Sequence, residues 1–324
     1  MSGLDRPIFI VGCPRSGTTL VQCILSASSH AFSLPETHFF SHVLAAVGAT
    51  PESRLGSREL RLAREACQTE AELTLPASFW AKLEGRPGLR ALDMFWALVE
   101  QYRPANAADL RVIEKTPRHV LYLDTIARVF PDAHFVNVVR DPVDVASSLL
   151  GVPFESSRSM LSYAQRWTES IQAARVFASE HPDRLRTVVY ETLVREPEAV
   201  TRDVCAFVGL PYESAMLEEF GREAGRNVGR GEAWKRDVNS GVIMNRQGVW
   251  RTRMTPGQAW LVAQATRGRR RELGYVDRPV ATASSIAAAV MKEAGVRFRE
   301  ARSSTGLVGA ARHAGSVLKM WAPA

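Results

Sequence analysis

The chain has 324 residues, of which 46% are hydrophobic and 23% are charged, a composition that supports one large folded core and excludes global disorder. Its formal net charge of +7 suits a polyanionic ligand but fits nucleic-acid or membrane-surface binding equally well, so charge alone selects none of them. The four cysteines show no C-x-x-C pair and no metal-ligand spacing. Together with the absence of a secretory leader pattern, this predicts reduced thiols and a cytoplasmic protein.

The first predicted element is a short apolar strand, residues 7–11, which leads into a phosphate-binding loop. Residues 12–19 read Gly-Cys-Pro-Arg-Ser-Gly-Thr-Thr and keep the spacing of the P-loop pattern G-x-x-x-x-G-K-[ST], with an apolar helical pattern from Leu20 onward. Backbone N–H groups of such a loop hold a phosphate at the positive end of a helix dipole. Thr18 occupies the lysine position and cannot bring charge to a β/γ-phosphate bridge, which disfavours γ-phosphoryl transfer.

The loop also carries a family resemblance. It is similar to the 5′-phosphosulfate loop of the sulfotransferases, especially the branch that contains the tyrosylprotein sulfotransferases and many bacterial enzymes. The resemblance implies 3′-phosphoadenosine 5′-phosphosulfate (PAPS) as co-substrate, adenosine 3′,5′-bisphosphate as product, and no metal. A tight turn without a ligand is the alternative. The residues implied to bind the 5′ group are Pro14, Arg15, Ser16, Gly17, Thr18 and Thr19.

A general base is the next candidate along the chain. In the tyrosylprotein branch the base is a glutamate about twenty residues beyond the loop arginine, and Glu36 lies twenty-one positions after Arg15. The histidine that closely follows the lysine motif in cytosolic steroid and phenol sulfotransferases is absent from that place here. The resemblance therefore implies Glu36 as the base, with His38 and His119 as rivals.

Residues 41–110 form a mostly helical insertion that is rich in Ala, Leu, Arg and Glu. We interpret it as the wall of the acceptor site. Its aromatic side chains favour a hydrophobic or aromatic-bearing acceptor, unless they simply belong to the core. The acceptor itself is expected to offer a hydroxyl or an amine, on a small molecule, sugar, lipid or peptide. The aromatic residues are Phe79, Trp80, Phe95 and Trp96.

A second strand, residues 111–114, ends at Lys115 in the sequence Glu-Lys-Thr-Pro-Arg. Ligands of α/β sheets bind at the carboxyl ends of the strands, which is where this lysine is expected to lie. The resemblance implies that Lys115 contacts the leaving phosphosulfate bridge, while Arg15 helps to neutralise charge on the sulfuryl group. A surface lysine at a strand end is the alternative.

A third strand, residues 134–139, runs into Arg140 and then into a helix whose start is marked by Asp141 and Pro142. Arg140 and Ser148 stand eight positions apart, as do the Arg and Ser of the 3′-phosphate-binding segment of sulfotransferases. The resemblance thus adds a second phosphate site, which PAPS requires and ATP does not. The alternative is that Arg140 pairs with a nearby carboxylate.

The later elements complete the predicted sheet. A helical pattern over residues 160–177 precedes a fourth strand, residues 186–190, and the alternation of strands and helices predicts an α/β fold of three layers around a central parallel sheet. Tyr190 resembles the tyrosine of the family's Y-E-x-L segment near the nucleotide. Arg246 and Arg251 flank a segment similar to the late G-x-W-[KR] motif, and they are candidate 3′-phosphate contacts. Core packing or solvation is the alternative for each.

Residues 281–324 are rich in Ala, Ser and Gly and carry six Lys/Arg against two Glu. The sequence predicts a sulfotransferase domain over residues 1–280 and a basic tail, helical or partly disordered, beyond it. The apolar positions Ile286, Val290, Val296 and Phe298 predict one face of a helix, which is suited to a peripheral membrane or subunit contact.

The sequence is therefore interpreted as that of a PAPS-dependent sulfotransferase, with PAPS and a hydroxyl-bearing acceptor as partners and no nucleic acid. Two alternatives remain at this point. One is a P-loop small-molecule kinase, which requires a magnesium site and a means of positioning a γ-phosphate. The other is a non-catalytic nucleotide-binding or membrane-associated protein that acts through its basic tail.

Overall fold

The computed structural model describes residues 6–70, 73, 75–105, 109–152, 158–222, 243, 245–277, 279–300 and 302. The chain forms two compact units. The first comprises Met1–Val139 and Gln172–Asn245, and the second comprises Arg140–Ile171 and Arg246–Ala324. The division at residue 280 that the sequence suggests, and the role of residues 41–110 as an acceptor wall, stay predictions.

The first unit is built on a five-stranded sheet of order β2-β3-β1-β4-β5 in which every neighbouring pair is parallel. The predicted fold class, α/β with a central parallel sheet, is thereby confirmed. Four of the strands lie within a residue of their predicted bounds, whereas β2 was not predicted because its three residues are too few to show a pattern. The strands are β1 (Ile8–Gly12), β2 (Ala31–Ser33), β3 (Arg111–Lys115), β4 (His134–Val139) and β5 (Leu185–Val189).

The helices are, in chain order among the described residues, α1 (Thr18–Ser26), α2 (Leu44–Val47), α3 (Ser57–Glu70), α4 (Ala77–Glu84), α5 (Ala91–Tyr102), α6 (Leu123–Val129), α7 (Pro142–Leu150), α8 (Met160–Glu180), α9 (Tyr190–Arg195), α10 (Pro197–Val208), α11 (Ala215–Glu218), α12 (Trp250–Arg253), α13 (Pro256–Ala265), α14 (Arg267–Glu272) and α15 (residues 283–300). A π-helical turn spans Phe39–Val43 and a 3₁₀ turn spans Pro117–Tyr122. None of the described helices is both long enough and apolar enough to cross a membrane.

Two hydrophobic cores cover the two faces of the sheet. Because side chains alternate along a strand, Phe9 and Val11 of β1 enter one core while Ile8 and Ile10 enter the other. Helices α1, α10 and α11 pack on the second core. The aromatic residues of the insertion pack on the first core, where Phe79, Trp80 and Phe95 are buried and Trp96 is partly buried. These rings are therefore core residues, and they give no indication of the acceptor's chemistry.

Helix α15 belongs to the second unit rather than extending from it as a solvated tail. Val290 and Val296 of the predicted apolar face are buried, which leaves less apolar surface for the membrane or subunit contact predicted from the sequence. The buried carboxylate of Glu293 accepts hydrogen bonds from the Met160 N–H at 2.8 Å, from the Leu161 N–H at 3.3 Å and from the Ser159 hydroxyl. It thereby caps the positive end of α8. Residues 303–324 of the predicted tail lie outside the described residues.

Glu293→Gln is expected to lower the free energy of unfolding by about 1–3 kcal/mol, since the amide removes a charge-assisted acceptor from three donors, two of them buried. Chemical denaturation followed by circular dichroism measures the change. Lys292→Ala on the exposed side of the same helix is the matched control. Equal stability of the Glu293→Gln and Lys292→Ala variants would show that this cap contributes nothing.

Candidate active site

The loop between β1 and α1 adopts a backbone that ordinary residues avoid. Gly12 has φ 143°, Gly17 has φ 100°, and Arg15, which is not a glycine, has φ 74°. A Cβ on Gly12 would lie 2.4 Å from the carbonyl oxygen of Val138 in β4, so only glycine lets the loop pass this close to the sheet. The left-handed conformation of Arg15 is costly and is characteristic of functional loops.

The same loop fits a phosphate. Helix α1 has no side-chain cap and no acidic residue in its first turn, so its positive end is left for an external anion. The Ser16 hydroxyl is buried and has no hydrogen-bond partner within the described part of the chain. A buried, unsatisfied hydroxyl beside helix N–H groups is a donor set suited to phosphate oxygens.

Tyr190 lies directly against this loop. A Cβ on Gly17 would come within 2.5 Å of Cδ2 of the tyrosine ring, which is itself buried. Two constraints therefore favour glycine at position 17: its positive φ, and the tyrosine ring that leaves no room for a Cβ. The structure brings Tyr190 to the loop although it lies 173 positions after Gly17 in the sequence.

Two of the three residues predicted to carry the chemistry, Lys115 and Glu36, form an ion pair. Lys115 Nζ donates to Glu36 Oε1, and the lysine side chain has no exposed surface while the glutamate is 15% exposed. Because β2 and β3 are parallel with Ser33 level with Ile113, the segment that follows β2 meets the carboxyl end of β3. The register with β1 also sets Lys115 level with Ile10, just before the phosphate loop.

Glu114, which the sequence interpretation overlooked, organises this corner. Its buried Oε1 accepts hydrogen bonds from the hydroxyls of Thr37 at 2.8 Å and Thr116 at 2.6 Å, and Oε2 lies 3.0 Å from His119 Nδ1. Burial alone raises the pKa of Glu114, but the His119 ring and the two hydroxyls outweigh it, so that the pKa lies below its ordinary value. The sequence feature that could have drawn attention to Glu114 is its position beside Lys115 at the end of a buried strand.

His119 has both ring nitrogens engaged in hydrogen bonds, which does not suit a general base. The N–H of Phe40 donates to its Nε2 at 3.2 Å, so the proton resides on Nδ1 and is donated to Glu114. With no exposed surface and both ring nitrogens engaged, His119 has the geometry of a structural histidine.

His38 faces the candidate base. Its Nε2 lies 3.4 Å from Glu36 Oε2, and its backbone, with φ 48°, is held by the Thr116 hydroxyl, which accepts from the His38 N–H. Burial lowers the pKa of His38 to about 4, against the opposing effect of Glu36. His38 is therefore neutral at neutral pH.

The residues predicted to contact a 3′-phosphate lie in the second unit. The guanidinium of Arg140 donates to the carbonyl of Arg246 and lies 4.0 Å from Asp144, so Arg140 and Arg246 are brought together. Asp144 also accepts from the N–H groups of Gly248 at 2.8 Å and Trp250 at 3.2 Å. Burial raises the pKa of Asp144, partly offset by Arg140 and these hydrogen bonds.

Two further residues of that predicted set have different surroundings. Arg251 pairs with Asp277 at 2.6 Å and stacks on the Trp250 ring, with half of its side chain exposed. Ser148 lies partly buried near the end of α7. The assignment of all four residues to a 3′-phosphate stays a prediction.

Comparison with known proteins identifies the family. Residues 7–214 match the profile of the sulfotransferase family. The chain belongs to this family. The resemblance noted in the sequence is thereby confirmed, and the matched region contains the phosphate loop together with Glu36, Lys115 and Tyr190.

Individual relatives are distant. Protein-tyrosine sulfotransferase 1 of Danio rerio is 27% identical over 76% of this chain and 66% of its own length, and an uncharacterized protein of Aquifex aeolicus is 26% identical over 66% of this chain and 27% of its own. The chain thus spans less than two thirds of either relative. The sulfotransferase domain from the curacin biosynthetic pathway shares the fold of this sulfotransferase, with a TM-score of 0.59 and 23% identity over 85% of this chain and 99% of that domain.

Ser16→Ala is expected to raise the free energy of unfolding of the ligand-free protein by about 1 kcal/mol, because it removes a buried hydroxyl that has no partner in the described residues. The same change is expected to weaken binding of adenosine 3′,5′-bisphosphate. Thermal denaturation with and without this nucleotide measures both effects. A loss of stability of the ligand-free Ser16→Ala variant would contradict the interpretation that the loop holds this hydroxyl for a phosphate.

The stability of the sulfotransferase is expected to fall as the pH drops from 6.5 to about 4. In that interval the unfolded chain protonates His38 while the folded chain does not, so the contribution of His38 is complete above pH 6.5 and is lost on acidification. His38→Asn should remove about 2–3 kcal/mol of this pH dependence. Urea denaturation across the interval measures it, with the exposed His30→Asn as control. Identical slopes in wild type and His38→Asn would refute the expectation.

Proposed function

We propose that this sulfotransferase transfers a sulfuryl group from PAPS to a hydroxyl or amine of an acceptor. The observation that carries the proposal is the buried Lys115–Glu36 ion pair at the carboxyl edge of the sheet, next to a phosphate loop that lacks the nucleotide lysine. Fully buried lysines are rare, and one that is held beside a phosphate site and a carboxylate is suited to charge stabilisation.

The chain's own groups divide the work. The phosphate loop, from Pro14 to Thr19, holds the 5′ group through backbone N–H groups and the Ser16 and Thr hydroxyls. When bound, PAPS supplies an activated sulfuryl group and a phosphate leaving group. Glu36 takes the proton of the acceptor hydroxyl, and its second oxygen, Oε2, is directed toward His38. Lys115 and Arg15 stabilise negative charge that develops during transfer.

Specificity for PAPS over ATP is proposed to come from contacts with the 3′-phosphate. Arg140, with Ser148 and Arg246, is the candidate for the 3′-phosphate, and the contact between Arg140 and the Arg246 carbonyl supports their acting together. Arg251 is the weaker candidate because its guanidinium pairs with Asp277. A cytoplasmic location, a scheme without metal, and a membrane or subunit contact through residues 281–324 remain parts of the proposal that rest on the sequence.

Calorimetry tests the nucleotide assignment. The protein is expected to bind adenosine 3′,5′-bisphosphate at least about tenfold more tightly than 5′-AMP, since one charge-assisted phosphate contact is enough for that ratio. Arg140→Ala should abolish the difference and leave 5′-AMP binding unchanged, whereas Arg253→Ala, at an exposed arginine, should preserve it. Equal affinity of the wild type for the two nucleotides would contradict the PAPS assignment. Tighter binding of ATP with magnesium would also contradict it and would favour the alternative of a P-loop small-molecule kinase.

A further inference from the structure

One arginine of a basic run lies buried in the second unit. Residues 267–271 read Arg-Gly-Arg-Arg-Arg and make up all but the last residue of α14. Arg267 and Arg271 are exposed, whereas the side chain of Arg270 is only 6% exposed. Because a guanidinium is seldom buried without a charged partner, the contacts of Arg270 distinguish it from the rest of the run.

The partner of Arg270 is the carboxylate of Asp141. Nε and Nη2 of Arg270 donate to Asp141 Oδ2 at 3.2 and 2.8 Å. The other oxygen, Oδ1, accepts from the Val143 N–H at 2.7 Å and thereby caps α7. A helix cap needs only one carboxylate oxygen, so the ion pair with Arg270 is a further constraint, which fixes the plane of the carboxylate.

Asp141 directly follows Arg140, the candidate for the 3′-phosphate. The carbonyl of Arg140 accepts from Nε1 of Trp167 at 3.0 Å, and Trp167 has no exposed surface. The indole therefore holds the peptide group between Arg140 and Asp141, while Arg270 holds the side chain of Asp141. Because that peptide group is planar, the two contacts together restrict the direction in which the Arg140 side chain leaves the backbone.

The guanidinium of Arg140 has contacts of its own. It donates to the carbonyl of Arg246 and lies 4.0 Å from Asp144. Arg140 is thus held both at its backbone and at the tip of its side chain. A long side chain amplifies any rotation of its backbone, and a binding group must stay within about 0.5 Å and 10–20° of its productive geometry. The backbone contacts therefore matter for recognition as well as the contacts of the guanidinium.

We infer that Arg270 is a positioning residue for recognition of the 3′-phosphate and that it acts through Asp141. The inference rests on the proposed function, in which Arg140 contacts the 3′-phosphate. Without Arg270, Asp141 keeps its cap on α7 but loses the contact that fixes its second oxygen, and Arg140 then adopts orientations that miss the phosphate. Binding of the 5′ group, which the proposed function assigns to the phosphate loop, does not depend on Arg270.

The ratio of two affinities separates this role from a general effect on stability. Calorimetry of the full chain with adenosine 3′,5′-bisphosphate and with 5′-AMP measures the ratio. Arg270→Met is expected to lower the preference for the bisphosphate at least about fivefold and to leave the affinity for 5′-AMP unchanged, because only the 3′-phosphate contact is displaced. Arg271→Met, at an exposed arginine of the same helix, is the matched control. An unchanged ratio in Arg270→Met, or an equal loss of affinity for both nucleotides, overturns the inference.

Double variants test the route from Arg270 to the phosphate. In an Arg140→Ala background, Arg270→Met is expected to leave the ratio unchanged. Asp141→Asn keeps an oxygen for the cap but removes the charge that pairs with Arg270, so it is expected to lower the ratio as Arg270→Met does. The combination of Asp141→Asn with Arg270→Met should lower the ratio no further than the more severe single variant. Additive losses would show that Arg270 acts independently of Asp141 and would contradict the route.

Arg270→Lys decides the question in the event that Arg270→Met does not fold. Lysine keeps the positive charge but not the two-nitrogen contact with Asp141 Oδ2, and it is expected to lower the ratio at least about twofold at unchanged 5′-AMP affinity. In that event an unchanged ratio in Arg270→Lys overturns the inference. A wild type without preference for the bisphosphate refutes the proposed function itself. A wild-type preference that Arg140→Ala abolishes and a folded Arg270→Met retains refutes only the role of Arg270.

Discussion

A lysine with no exposed surface cannot remain charged without a partner, and the site is organised around this requirement. Lys115 ends β3, and its partner Glu36 is delivered by the parallel pairing of the short β2 with β3. The registers of β2 with β3 and of β3 with β1 therefore determine where the proposed base lies, how the lysine is neutralised, and where both lie relative to the phosphate loop that follows β1.

Glu114 and Lys115, the last two residues of β3, have different roles. Lys115 pairs with the partly buried carboxylate of Glu36. Glu114 is wholly buried, and the His119 ring and two threonine hydroxyls keep its pKa low against the effect of burial. This fixed charge holds the segment from Thr37 to Phe40. Among the described residues of the first unit, the non-glycine residues with positive φ are Arg15 and His38, which lie in the loop and in this segment, where we propose that the chemistry occurs.

The sequence predicted what depends on local pattern. The phosphate loop follows from glycine spacing, and four strands follow from apolar runs, because both are properties of adjacent residues. It did not predict β2, whose three residues are stabilised by pairing with β3, or the role of Glu114, whose partners come from distant segments. Tyr190 was expected near the nucleotide by resemblance, and its packing on Gly17 depends on tertiary structure alone. The aromatic residues of the insertion pack in the core because burial of large rings dominates their placement.

The account depends on the Lys115–Glu36 pair being the centre of sulfuryl transfer. The most direct test incubates the protein with sulfur-35-labelled PAPS and a panel of phenols, sugars, lipids and tyrosine peptides. Labelled product is expected with the wild type, and at least about a hundredfold less with Glu36→Gln or Lys115→Met. Glu84→Gln and Lys82→Met, at exposed positions of α4, should match the wild type. Wild-type rates in Glu36→Gln and Lys115→Met, or no labelled product from a folded protein that binds the nucleotide, would contradict it.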